Sequence, residues 1–287
     1  MKFAVSNIAW SPAEDSSMYE LLSEERLALE IAPTRIFPRG DSGSSGRVEG
    51  PYDRIREAAD WAKDLYSKYG IRVVSMQSVL NGVKANMFGS KEENRFLRNY
   101  LKSAVDFAAA VQCGNLVFGC PLNRRIPDEY PTENAGKAAV SFFGELAEYA
   151  AQQGTCISME ANPAAYHTDF INYTAQAFDL VRCVAREAGK EASSAFKVNL
   201  DLSTILMNGE DIYELLTEDN IALVNHVHFS EPHLRVIRQR REHSEIIRLL
   251  EDAGYDRYIS LEMRMPEDPK ELRESVEYIK SLQQIRS

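Results

Sequence analysis

Four acidic or imidazole side chains occur at the ends of four successive β-rich runs of this sequence. The runs read TCISME, FKVNLD, NHVHF and RYISLE, and each is followed by the next after about one β/α unit. Side chains alternate along a strand, so the polar residues of each run share one face and the apolar residues share the other. The last polar residues before the loops are Glu160, Asp201, His228 and Glu262.

The chemistry of this set predicts a metal site. Three carboxylates and one imidazole at a narrow opening repel one another unless they are protonated or neutralised. A divalent cation is the expected neutraliser, and one histidine among oxygen ligands favours Mn²⁺, Mg²⁺ or Co²⁺. Zn²⁺ fits less well because the set contains no thiolate. The alternative is that these residues cap helices or pair with Lys197, Arg235 or Arg264.

The elements that must position these residues alternate between strands and helices. Helical periodicity separates the β-rich runs, for example over 52–70, 91–114, 133–154 and 268–284. Eight β/α units without a low-complexity linker predict one domain over 1–287, an α/β fold of the single (β/α)₈ TIM barrel type. The eight strands are expected at 2–6, 27–32, 71–78, 115–119, 155–160, 196–201, 222–229 and 257–262.

Composition restricts the partners and the compartment. The formal net charge of −10 argues against a nucleic-acid surface, which would carry clustered positive charge. No apolar run is long enough for a membrane span, and the amino terminus lacks a secretory pattern. The four cysteines are scattered, as is typical of reduced thiols. We therefore expect a cytoplasmic protein with a small-molecule partner, either a monomer or a homo-oligomer.

Six motifs resemble those of the xylose-isomerase-like superfamily of TIM barrels, in particular its sugar phosphate isomerase/epimerase branch. The motifs are LEIAPTRIF, NLVFGCP, MEANP, NLDLST, NHVHFSEP and YISLEM, and they span nearly the whole chain. The resemblance implies that Glu160, Asp201, His228 and Glu262 bind one divalent ion. It also implies that Glu160 and Glu262 act as the acid/base pair on a carbohydrate, through a metal-stabilised enediolate.

Further residues near the strand ends are candidates for contacting the carbohydrate. Arg235 and Arg264 are candidates for binding a phosphate or carboxylate, as is Arg124, because guanidinium binds such groups in a bidentate way. For His226, a hydrogen-bonding role behind the metal ligands is the preferred interpretation. The predicted substrate-binding set is Glu30, Gln77, Asn123, Asn162, His167, His226, Glu231, Arg235 and Arg264.

The sequence departs from the ketose 3-epimerases at three positions. Those epimerases resemble this chain but carry a histidine, a glutamate and an arginine where this sequence has Thr204, Tyr166 and Leu234. His167 and Arg235 lie one residue further along and could replace two of them. A free-ketose 3-epimerase is therefore less well supported than the metal site itself.

The sequence is also compatible with other functions. A lyase of the inosose dehydratase type would use the same ion and base, and a catalytically silent carbohydrate-binding protein would keep the fold and the ion. A type IV DNA endonuclease is disfavoured because no histidine precedes His167.

The Gly- and Ser-rich segment 38–52 is either a lid or an insertion. His243 is expected to be a solvent-exposed residue in the first turn of a helix.

Overall fold

Eight parallel strands close into a barrel in chain order. The structure is a computed structural model that describes residues 1–40 and 50–284. Each strand pairs with its neighbour, and β1 pairs with β8. The predicted TIM barrel is confirmed, and all eight predicted strands are present. They are β1 Lys2–Ser6, β2 Ala28–Ile31, β3 Val73–Met76, β4 Leu116–Phe118, β5 Ile157–Glu160, β6 Phe196–Asp201, β7 Val224–Ser230 and β8 Tyr258–Glu262.

Helices follow every strand and cover the outside of the barrel. Gly70, which is in the left-handed region, ends α3. The helices are α1 Asp15–Glu24, α2 Pro33–Ile36, α3 Ile55–Tyr69, α4 Lys91–Ala110, α5 Thr132–Gln152, α6 Thr174–Ala195, α7 Leu202–Asn208, α8 Ile212–Leu215, α9 Glu218–Ile221, α10 Arg241–Asp252 and α11 Pro269–Gln284. Among the helices of the described ranges, none combines the length and apolarity that a membrane crossing requires.

The apolar faces of the strands pack under the helices, as alternation predicts. Phe143 of α5 contacts Phe118 of β4 and Phe196 of β6, each at a ring-centroid distance of 4.9 Å. The opposite faces point into the barrel and carry many polar side chains. Below the mouth, Ser158 donates a hydrogen bond to Asn115, which donates to Ser75. The barrel interior is thus a hydrogen-bonded layer, and the main apolar core lies between strands and helices.

Two expectations are affected by the fold. The segment proposed as a lid, 38–52, falls largely on 41–49, which lie outside the described residues. The exposed position expected for His243 is wrong. Its side chain is fully buried, and its ring packs on Phe229 of β7 at 4.3 Å between centroids. The first turn of α10 faces the barrel wall at this position, and the sequence alone does not indicate that orientation.

The aromatic contact between α5 and the barrel predicts a large stability effect. Phe143→Ala removes a ring that is fully buried between two strands, so we expect the free energy of unfolding to fall by about 3–5 kcal/mol. Phe96→Ala is the control, because that ring is 50% exposed and its loss should cost about 1 kcal/mol or less. Denaturant titration measures both. Equal losses in the two variants would contradict the assigned packing.

Candidate metal centre

The carboxyl ends of β5 to β8 bring the four predicted ligands together. Glu160, Asp201 and His228 offer ligand atoms that all lie within 4.8 Å of one another. Glu262 joins them through Oε2, which lies 3.2 Å from Nδ1 of His228. All four side chains are buried. The structure therefore places the predicted set at the end of the barrel where active sites of this fold occur.

Strand register accounts for this convergence. Val198 pairs with Val224, but Asn199 pairs with His226, so Asn225 is an extra residue on β7. This bulge sets His228 directly opposite Asp201. On the other side of β7, Glu262 is paired with Ser230, two residues beyond His228.

His228 lies at the centre of the set. Its Nδ1 is 3.0 Å from Oε2 of Glu160 and 3.2 Å from Oε2 of Glu262. Neither contact has hydrogen-bond geometry, so this buried nitrogen has no hydrogen-bond partner among the residues of 1–40 and 50–284. Buried polar atoms are normally satisfied. A nitrogen without a partner that faces carboxylate oxygens fits a metal ligand.

The electrostatics of the cluster agree with that assignment. Burial, together with the nearby charges of Glu160 and Glu262, raises the pKa of Asp201 to about 8. Burial also raises the pKa of Glu262. Burial alone would lower the pKa of His228, but the charges of Glu262 and Glu30 hold it well above its ordinary value. In the absence of a cation the site therefore retains protons, which a divalent ion would displace.

Glu160 is held in place by side chains of neighbouring strands and loops. Its Oε1 accepts a hydrogen bond from Asn162 at 2.9 Å, and its Oε2 accepts one from Asn199 at 2.6 Å. Gly119, after β4, leaves room for this carboxylate, because a Cβ there would come within 2.6 Å of Oε1. The orientation of Glu160 is thus fixed by three neighbours.

Arg124 anchors these neighbours and is not available to a ligand. Its fully buried guanidinium donates to the carbonyls of Gly119 and Glu160 and to the side-chain oxygen of Asn162. Burial lowers the pKa of Arg124 to about 10. The proposal that Arg124 binds an anion is therefore wrong, since its donors hold the loops after β4 and β5.

Asp201 has two structural contacts besides its place among the ligands. Its Oδ1 accepts hydrogen bonds from the backbone N–H of Thr204 at 3.0 Å and from the hydroxyl of Ser230 at 2.8 Å. The first contact caps the amino terminus of α7. Thr204 itself donates its hydroxyl to the carbonyl of Ala161, so it does not replace the missing histidine.

Glu30 and His226 lie below the ligands, inside the barrel. Oε2 of Glu30 is 2.9 Å from Nε2 of His228 and 3.3 Å from Nε2 of His226. Glu30 is completely buried and His226 almost so, which leaves neither side chain a surface for substrate. Burial alone would raise the pKa of Glu30, but the two imidazoles hold it well below its ordinary value. Glu30 and His226 therefore contact other residues of the site, and neither has a surface open to substrate.

The other predicted substrate contacts divide into two groups. Gln77, Asn123 and Glu231 are buried and bind protein groups: Gln77 donates to Ser6, Asn123 to the carbonyls of Val83 and Ala85, and Glu231 accepts from Arg240. His167, Arg235 and Arg264 are exposed. The backbone N–H of Arg264 donates to the carbonyl of Leu234, which joins the loops that carry the two arginines.

Sequence reasoning missed three residues that shape the site. Asn199 and Ser230 share the inward parity of Asp201 and His228, so strand alternation was a signal for both. Gly119 carried no signal beyond following a strand, because its role depends on how close Glu160 lies.

The sequence matches the model of one protein family. The family model described as xylose isomerase-like TIM barrel matches residues 44–282. No sequence among curated proteins matches significantly.

Three solved structures illustrate the similarity of fold. The apo 3-keto-D-glucoside 4-epimerase YcjR from E. coli is 16% identical, with a TM-score of 0.71 over 98% of this chain and 99% of that one. The D-psicose 3-epimerase from Clostridium cellulolyticum H10, solved with D-tagatose, is 15% identical, with a TM-score of 0.75 over 99% and 98%. The IOLI protein with a zinc atom is 13% identical, with a TM-score of 0.66 over 99% and 96%.

The space beside Glu160 predicts the effect of adding one methyl group. Gly119→Ala forces the Glu160 carboxylate to move, so we expect affinity for Mn²⁺ or Zn²⁺ to fall by at least about tenfold. Gly114→Ala is the matched control, because a Cβ there meets no atom within 4 Å. Isothermal titration calorimetry measures both. If Gly119→Ala bound the metal ion with wild-type affinity, the assignment of Glu160 as a ligand would be wrong.

Proposed function

Because the chain belongs to the xylose isomerase-like TIM barrel family, we propose that it is a metal-dependent isomerase or epimerase. Its substrate would be a small sugar, sugar phosphate or related polyol. The observation that carries this proposal is the approach of Glu160 and Glu262 to the unpartnered Nδ1 of His228, with Asp201 beside it.

One divalent ion is the cofactor that the donor set fits. Glu160, Asp201, His228 and Glu262 would hold it, through carboxylate oxygens and one imidazole nitrogen. Oxygen-rich sets suit Mn²⁺, Mg²⁺ or Co²⁺, and Zn²⁺ is supported by the zinc atom named for one solved neighbour. When bound, the ion would supply Lewis-acid polarisation of a carbonyl and an adjacent hydroxyl of the substrate.

The acid and base roles are proposed for Glu160 and Glu262. These carboxylates stand on the two outer strands of the set, β5 and β8, so they approach the mouth from different sides. One glutamate would remove the proton from carbon next to the substrate carbonyl, and the other would return a proton to the opposite face. A positioned carboxylate contributes about 10²–10⁴-fold to such a step.

Fixed orientation supports the role of Glu160 in particular. Asn162 and Asn199 each donate to a different oxygen of its carboxylate, so its plane is set before substrate binds. Preorganisation of this kind lowers the cost of reaching the reactive geometry. Arg235 and Arg264, exposed on two joined loops, are the proposed contacts for a substrate phosphate or carboxylate.

Proton exchange with solvent tests the proposed reaction. The metal-loaded protein is incubated in D₂O with ketoses, ketose phosphates and inososes, and products are analysed by NMR and mass spectrometry. We expect deuterium at the carbon next to the carbonyl of at least one substrate, with no loss of water. Enone absorbance with loss of water would assign the same residues to a lyase. Saturable binding without exchange would indicate a carbohydrate-binding protein.

The acid/base assignment predicts a selective loss of turnover in one variant. Glu262→Gln keeps the size of the side chain but removes its proton-transfer ability, so turnover should fall at least about 10²-fold while the fold is retained. Glu274→Gln, an exposed glutamate of α11, is the control and should keep full activity. Steady-state kinetics and circular dichroism measure the two properties. Near-normal turnover in Glu262→Gln would reject its assigned role.

A further inference from the structure

Glu30 is a fully buried carboxylate that the proposed reaction does not use. It lies on β2, where it is paired with Ser6 of β1 and Ser75 of β3, and its exposure is 0%. Burying a charged group costs several kcal/mol unless partners compensate it. A carboxylate kept at such a position needs a role that an apolar side chain could not fill.

The partners of Glu30 indicate what that role is. Its Oε2 lies 2.9 Å from Nε2 of His228, and an ionised carboxylate can only accept hydrogen bonds. Nε2 of His228 must therefore carry a proton and donate it. The other ring nitrogen, Nδ1, faces Glu160 and Glu262 at 3.0 and 3.2 Å. The two sides of the imidazole thus have different partners.

A second histidine contacts Glu30 from below. Nε2 of His226 lies 3.3 Å from Oε2 of Glu30 and 2.8 Å from the hydroxyl of Ser260 on β8. Ser260, His226, Glu30 and His228 therefore form a connected chain of polar contacts that crosses the barrel interior. Every member is at most 1% exposed, so solvent does not compete for these contacts.

We propose that Glu30 is a positioning residue: it keeps the proton of His228 on Nε2 and fixes the ring plane, so that Nδ1 is the atom offered to the metal. This inference rests on the metal site of the proposed function. Carboxylate acceptors behind metal-bound histidines orient the ring and raise its basicity. The predicted substrate contact of Glu30 is thereby replaced by an indirect role, through His228.

The same atoms allow one competing arrangement. Glu30, His226 and His228 also offer three ligand atoms within 4.8 Å of one another. A second ion there would need His228 to lose both ring protons and bridge two metals. Stoichiometry separates the two arrangements, because positioning requires one ion per chain and the bridged site requires two.

The test compares Glu30→Gln with a matched variant. The glutamine keeps the shape but loses the charge, so we expect Zn²⁺ affinity to fall about 10–100-fold at an unchanged stoichiometry of one. Glu210→Gln makes the same change at a half-buried carboxylate whose hydrogen-bond donors are Thr174 and Asn208, so it should keep wild-type affinity. Calorimetric titration gives affinity and stoichiometry, and thermal unfolding checks that each variant is folded.

Proton NMR of histidine-labelled protein supplies a readout that does not need the metal. The Nε2 proton of His228, assigned by its loss in His228→Gln, should be far downfield in metal-free and Zn²⁺-loaded wild type. It should move upfield in Glu30→Gln. Unchanged affinity or an unchanged proton shift in Glu30→Gln overturns the proposal, as does binding of two ions. If wild type binds no ion, the metal site itself is wrong, and so is the proposal built on it.

Discussion

The His228 ring, held between acidic groups on both edges, is the constraint on which the site depends. Glu30 contacts one ring nitrogen, and Glu160 and Glu262 approach the other. Buried carboxylates this close repel one another, and the raised pKa of Asp201, caused by its burial and by Glu160 and Glu262, reflects that repulsion. A cation at Nδ1 would relieve it. We therefore interpret the arrangement as a candidate cation-binding site.

The surrounding structure keeps these groups in place. Arg124 joins the loops after β4 and β5, and through Asn162 it reaches the carboxylate of Glu160. Ser230 and the start of α7 hold Asp201. Polar groups of this kind rigidify a site only when they are satisfied together. The loops of the barrel mouth and polar residues of the strands thus supply the orientation, and the ends of β5 to β8 supply the ligands.

Strand alternation predicted which residues of β5 to β8 face the site. It did not predict the contacts that depend on pairing between strands or on tertiary structure. The inward parity of Glu160, Asp201, His228 and Glu262 follows from the sequence, because side chains alternate between the two faces along β5 to β8. The bulge at Asn225, which aligns His228 with Asp201, depends on pairing between strands and leaves no mark in one strand's sequence. The sequence alone predicts unpaired charges at Arg124 and Glu231. Their partners are carbonyls or side chains that only the tertiary structure brings close.

Anomalous diffraction from a crystal soaked with Mn²⁺ tests the central claim most directly. The account predicts one strong peak, coordinated by Nδ1 of His228 and by carboxylate oxygens of Glu160, Asp201 and Glu262. A mouth without a peak, or a peak on the Nε2 side of His228 between Glu30 and His226, would contradict it.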